Sequence, residues 1–219
     1  MRALFVAGAH TDVGKTYVAC AVLRAARARG LTVDAVKPVV SGLSPEDWAD
    51  SDPGRLLAAL GRPLDFKNLD TISPLRFLAP LSPPMAARLE NRDLRLADLT
   101  GICREALAVT TADLFLVEGA GGVMSPLAED GTGLDLQKAL ALPTILVGGS
   151  YLGGISHTLT AVETLRAHGQ EIAAVVVSES ADPEAPDFVQ TVESVAAFAG
   201  DVLVLAAPRN DEAWTQGLF

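Results

Sequence analysis

The apolar run ALFVA, residues 3–7, empties into a glycine-bearing loop, GAHTDVG, which closes on Lys15 and Thr16. A strand, a glycine loop and a helix opening with Lys-Thr make a phosphate cradle. The loop's backbone N–H groups and the positive end of the helix dipole face the anion. The lysine reaches the terminal phosphates, and the threonine hydroxyl can ligate Mg²⁺. The spacing departs from the strict pattern by one residue. Five residues separate Gly8 and Gly14 where four are usual, and Ala9 stands at the first-glycine position.

The other apolar runs are short and bounded by turn residues: VDAVKPV, DLFLVEG, TILVGG, IAAVVV and VLVLAA. Between most of them lie stretches with helical spacing. Residues 16–29 put Val18, Ala21, Val22 and Ala25 on one face before Gly30 as a C-terminal cap, and residues 96–109, 134–141, 156–168 and 186–199 read alike. Alternating strands and helices predict an α/β fold, a mostly parallel central sheet with helices on both faces. Alanine, valine and leucine dominate while aromatics make up only 5%, which suits helices layered on a buried sheet. In such sheets ligands gather at the carboxyl ends of the strands. One stretch breaks the rhythm. From Gly42 to Asp93 the chain is proline-rich, and it reads as a short helix, Pro53 to Leu60, then an irregular excursion over the sheet edge. Without repeat or linker, residues 1–219 are expected to form a single domain.

The formal charge of −10 argues against nucleic acid or an anionic membrane as partner. An acidic protein that holds a polyanionic nucleotide needs a local cationic site and a divalent metal. Cys20 and Cys103 read as buried helical thiols compatible with a reducing cytosol. The N-terminus lacks a signal-peptide pattern, and no apolar run reaches the roughly 18 residues of a membrane span. A cytoplasmic location is expected.

Three further motifs carry chemistry. VKPVVSG places Lys37 at the end of the second apolar run, where a lysine is unusual. Lys15 and Lys37 would both emerge at the carboxyl edge of near-neighbouring strands, and two ammonium groups there can flank a phosphoryl group in transfer. LFLVEGAGG ends a strand on Glu118 and follows it with three glycines in four residues, which suits a metal ligand beside a tight ligand loop. A second carboxylate should come from Asp47, Asp50 or Asp52, the last also placed to cap a helix. GGSYLGGISHTLT sets glycines at a strand end and Ser156 at a helix start, another anion-binding arrangement. His157 reads as structural, and His10 and His168 form no metal-ligand spacing with it.

Together these motifs resemble the dethiobiotin synthetase family. The matching segments are TDVGKT at Thr11–Thr16, KPVVSG at Lys37–Gly42, Ser51-Asp52, SPPMAA at Ser82–Ala87, VEGAGGVMSPL at Val117–Leu127 and LGGISHTLT at Leu152–Thr160. They occur in the family's order. The resemblance implies a P-loop NTPase-like fold and a homodimer with active sites at the interface. The substrates would be 7,8-diaminononanoate, CO₂ or bicarbonate, and ATP with Mg²⁺. It implies nucleotide contacts from Asp12, Val13, Gly14, Lys15, Thr16 and Tyr17. Further ones would come from Asp52, Glu118, Gly119, Ala120 and Gly121, and from Ser178 and Pro208 at the base end. Thr16, Asp52 and Glu118 would hold Mg²⁺, and Lys15 and Lys37 would be catalytic. Thr11, Lys37 and Ser41 would meet the carbamate and diamine end. Tyr151, Leu152 and Gly153 of a partner subunit would receive the distant carboxylate. A P-loop switch ATPase of the partitioning or cell-division type is the rival reading, but Ala9 and His10 stand where those proteins carry an extra lysine.

Three departures stand out: Ala9-His10 in place of Thr-Asp, SPP in place of SPH, and Ser178-Glu179 where an asparagine usually reads adenine. Serine cannot make the two-point contact of an amide. Discrimination among nucleoside triphosphates is therefore expected to be weaker than the family pattern implies. Steady-state assays with ATP, GTP and CTP measure it, and full family-like stringency for ATP would contradict it.

Overall fold

The computed structural model describes residues 1–219, the side chain of Pro45 excepted. Its strands are β1 (Arg2–Gly8), β2 (Val33–Val36), β3 (Val39–Ser41), β4 (Leu75–Phe77) and β5 (Leu114–Glu118). Then follow β6 (Pro126–Ala128), β7 (Gly131–Thr132), β8 (Thr144–Gly149), β9 (Ile172–Ser178) and β10 (Val204–Ala207). The helices are α1 (Lys15–Ala28), α2 (Asp52–Leu60), α3 (Phe66–Ile72) and α4 (Pro83–Leu89), then α5 (Leu96–Val109), α6 (Gly133–Leu140), α7 (Gly154–Ala167) and α8 (Phe188–Phe198). Six strands form the central sheet in the order β10-β9-β8-β1-β5-β2, every pair parallel. The expected α/β architecture is observed.

Alternation along the strands explains the layers. In β1, Leu4 and Val6 pack with Val18 and Val22 of α1 and with Leu56 of α2, while Phe5 and Ala7 join the opposite cluster with Leu99 of α5 and Val162 of α7. Period-2 side chains buried on both faces require a helical layer on each side. No helix of the described residues is long and apolar enough to cross a membrane.

The segment between β2 and α5 departs from expectation. The run VDAVKPV does not continue as one strand. Pro38 lacks an N–H and cannot stay in a central ladder. The chain leaves the sheet after Val36, and β3 pairs instead with β4 in a separate two-stranded ladder. Residues 61–93 are also more regular than the proline content suggested. Asp65 caps α3 by accepting from Asn68 N–H at 2.7 Å, and Pro83 and Pro84 sit in the first turn of α4, where proline is tolerated. The cap of α2 is Ser51, whose hydroxyl accepts from Gly54 N–H, so Asp52 is released from that role. The β6–β7 hairpin was not foreseen, and α7 starts at Gly154 rather than Ser156.

Entry into α2 depends on Gly54. A Cβ there would overlap the carbonyl oxygen of Trp48 and crowd that of Ala49. Both atoms are backbone, so neither can swing aside. Gly54→Ala is expected to cost about 1–3 kcal/mol of unfolding free energy, measured by urea denaturation. A variant indistinguishable from the parent would show that this turn moves at no cost.

Candidate active site

The phosphate loop is built on positive φ angles. Asp12 has φ 56° and Gly14 has φ 95°, in the left-handed region where glycine carries no Cβ penalty. Gly14 is the N-cap of α1 and offers no side-chain cap, so the first N–H groups of the helix are left to a ligand. Gly8 makes room in another way. A Cβ on it would meet Lys15 Cδ and Nζ at 2.9 Å, so the lysine folds back across the glycine. Its ammonium donates to the His10 carbonyl at 3.0 Å. Burial, then the like charge of Lys37, lowers the Lys15 pKa to about 8.

β5 lies between β1 and β2, so Glu118 emerges between the two lysine-bearing strand ends. Its Oε1 accepts from Thr16 Oγ1 at 2.6 Å and from Lys37 Nζ at 2.6 Å. Lys37 also pairs with Asp52 Oδ2 at 3.0 Å and lies 3.4 Å from the Gly119 carbonyl. Lys37 is 2% exposed. Burial alone would lower its pKa, but Glu118 and Asp52 outweigh that and raise it. For Asp52 the same contest runs the other way. Burial would raise its pKa, and the charge and hydrogen bond of Lys37 bring it below the ordinary carboxylate range.

The second oxygen of Glu118 is buried without a hydrogen-bond partner among the described residues. Such an atom calls for a ligand. Thr16, Asp52 and Glu118 supply hard oxygen donors, and no group of three or more His, Cys, Asp or Glu suited to a metal occurs among the described residues. Two carboxylates and a hydroxyl fit Mg²⁺, which takes few protein ligands and shares phosphate oxygens. Of the three aspartates left open by sequence, Asp52 alone reaches Lys37. Asp47, in the 3₁₀ turn Pro45–Asp47, and Asp50 are exposed.

A cavity of about 560 Å³ runs from this cluster along the carboxyl edge of the sheet. Asp12 to Tyr17, Asp52 and Ser178 line one end, and Glu179 to Asp182 with Arg209 and Asn210 line the other. Tyr17 donates its hydroxyl to the Pro208 carbonyl at 2.7 Å. Ser178 lies against Gly14, its Oγ 2.5 Å from where a Cβ would be, so it belongs to the phosphate end. Arg55, Glu179 and Arg209 also line the cavity and were missed as site residues. For Arg55 the available signal was its place three residues after Asp52 on one helix.

The remaining candidates scatter. Thr11 lies beside the Gly121 turn, Val13 is buried in the core cluster that packs α1, and Ala120 packs against the opposite cluster. Ser41 donates to the Leu81 carbonyl at 2.6 Å, tying β3 to the start of α4, outside the cavity wall. Tyr151 reaches the cavity, whereas Leu152 is 89% exposed and, with Gly153, lines a separate apolar groove with Ile155, Leu159 and Phe198. His157 bonds the Tyr151 hydroxyl at 2.8 Å and stacks on His10, with ring centroids 5.4 Å apart.

This layout has relatives. A family model described as an AAA domain matches residues 2–212. The ATP-dependent dethiobiotin synthetase BioD of Phenylobacterium zucineum is 59% identical over 219 residues, covering 100% of this chain and 94% of that protein. Its namesake from Caulobacter vibrioides is 56% identical over 217 residues, 99% of this chain and 96% of that protein. Among solved structures, the ParA family ATPase from Chlorobium tepidum superposes with a TM-score of 0.54 at 17% identity, covering 99% of this chain and 88% of its own. At that identity the likeness is one of fold alone, the P-loop NTPase fold. With full-length identity above half to synthetases, the chain belongs to the ATP-dependent dethiobiotin synthetase family.

Proposed function

We propose that the protein is an ATP-dependent ligase that carboxylates 7,8-diaminononanoate and closes the ureido ring of dethiobiotin. The observation that carries this reading is the shared acceptor: Thr16 of the phosphate loop and Lys37 of the second strand end both donate to Glu118 Oε1. That junction supports the reading because a side chain of the glycine loop's helix and one from the second strand end share a single acceptor.

One amine of the diamine adds to CO₂ and loses a proton, giving a carbamate. A carbamate oxygen attacks the γ-phosphorus of ATP, and ADP leaves with the electrons of the broken P–O bond. The neighbouring amine then attacks the carbonyl carbon of the mixed anhydride, expels phosphate and closes the ring. In this scheme Lys15 and Lys37 neutralise the transferring phosphoryl group and the carbamate, a task of position and charge. To reach a phosphate, Lys15 exchanges its bond to the His10 carbonyl for one to the anion. Thr16, Asp52 and Glu118 would hold Mg²⁺, which when bound neutralises phosphate charge. The helix start and loop from Asp12 to Tyr17 cradle the triphosphate, with Gly119, Ala120 and Gly121 beside it, Ser178 against Gly14 and Pro208 toward the base. Thr11 and Ser41 border the carbamate and diamine end.

The distant carboxylate is assigned to Tyr151, Leu152 and Gly153 of a second copy, in a cytoplasmic homodimer. Support comes from the exposure of Leu152 beside an apolar groove and from the uncapped start of α7 at Gly153, whose N–H groups suit a carboxylate.

Phosphate release tests the scheme directly. ADP and phosphate should form only when diamine and bicarbonate are both present, and a rate indifferent to diamine would favour a switch ATPase. Lys15→Gln and Lys37→Gln should each lower kcat by about 10²–10³, the loss typical of one oxyanion-stabilising donor. Either variant retaining near-parental kcat would remove that lysine from the chemistry.

A further inference from the structure

Beyond Ser178, which packs on Gly14, the cavity is lined by residues 179–182 after β9 and by Arg209 and Asn210 after β10, segments that the register Ala207↔Ser178 brings side by side. Here the backbone groups that could read a nucleobase are already engaged. The Pro208 carbonyl accepts from Tyr17, and Arg209 N–H donates to Glu179 Oε2 at 2.7 Å. Glu179 is itself anchored by its own N–H, which donates to the Ala207 carbonyl at 3.0 Å. The carboxylate is thus held by one backbone donor, on a half-buried residue whose own main chain is pinned to the neighbouring strand. Its other oxygen, Oε1, makes no hydrogen bond among the described residues, and the residue lines the cavity. Ser178 is turned toward Gly14 and is poorly placed to substitute.

We propose that Glu179 is the specificity-determining residue for the base, accepting a hydrogen bond from an exocyclic amino group. The proposal rests on the reading of this cavity as a nucleoside triphosphate site. An ionised carboxylate is acceptor-only. It attracts the amino groups of adenine and cytosine and repels the carbonyl oxygens that replace them in hypoxanthine and uracil. The site therefore selects by amino group rather than by ring size, so ATP and CTP form one class and ITP and UTP another.

Competition for a fluorescent, ribose-labelled ATP analogue, with Mg²⁺ present, reads the affinities at equilibrium. In the parent protein ATP should bind about tenfold tighter than ITP, and CTP about tenfold tighter than UTP, the discrimination expected of one charge-assisted hydrogen bond at a half-buried site. In Glu179→Gln both ratios should shrink to within about twofold, because an amide can turn its NH₂ toward a carbonyl. Parental ratios near one would overturn the proposal, as would tenfold ratios that survive in a folded Glu179→Gln protein. If that variant does not fold, the two parental ratios decide. Equal binding of all four triphosphates would remove only the base-reading role, whereas failure of all four to displace the analogue would overturn the nucleotide-site reading as well.

Discussion

The site is organised around one buried oxygen. Glu118 Oε1 receives the Thr16 hydroxyl and the Lys37 ammonium, and Lys37 extends the contact to Asp52. Four elements converge there: the start of α1, the end of β2, the end of β5 and the start of α2. A carboxylate that is 1% exposed is tolerable only when paired, because an ionised group buried alone costs several kcal/mol. Pairing makes the four ends interdependent. Displacing α2 would strip Lys37 of Asp52, and displacing β2 would leave Glu118 with a hydroxyl for company. The same groups that tie these four ends together are the ones to which the proposed chemistry is assigned.

Electrostatics fits that division of labour. Lys37, ringed by carboxylates, keeps its proton firmly, while Lys15, buried near a like charge and bonded only to a carbonyl, holds its proton less tightly. A polyanion reaching both would relieve the second lysine. An acidic protein, net −10, thus brings two ammonium groups together at the strand ends, one of them paired by Glu118 and Asp52.

Much of this was legible in the sequence because it depends on local order along the chain. Lys37 and Glu118 each follow an apolar run directly, Lys15 follows one through the glycine loop, and a parallel sheet delivers such residues to one edge whatever the strand order. The glycine-bearing loop before Lys-Thr was legible, and Gly14 takes the left-handed conformation there. The limits have physical causes too. Asp52 could not be separated from Asp47 and Asp50, since the choice depends on a serine capping α2 and on a glycine that admits the Trp48 carbonyl. Pro38 ended β2, but the pairing of Val39–Ser41 with Leu75–Phe77 spans more than thirty residues and leaves no local signature. Arg209 escaped notice and Glu179 was named only beside Ser178, because the two meet only when β9 and β10 pair.

The proposed chemistry has Lys15 and Lys37 serve a single anion beside the Glu118 carboxylate. A crystal soaked with 7,8-diaminononanoate, bicarbonate, Mg²⁺ and a non-hydrolysable ATP analogue tests it most directly. Density for the terminal phosphate or a carbamate is expected within hydrogen-bonding distance of both ammonium nitrogens, with Lys15 withdrawn from the His10 carbonyl. A bound analogue whose phosphates touch Lys15 while Lys37 contacts only Glu118 and Asp52 would contradict it.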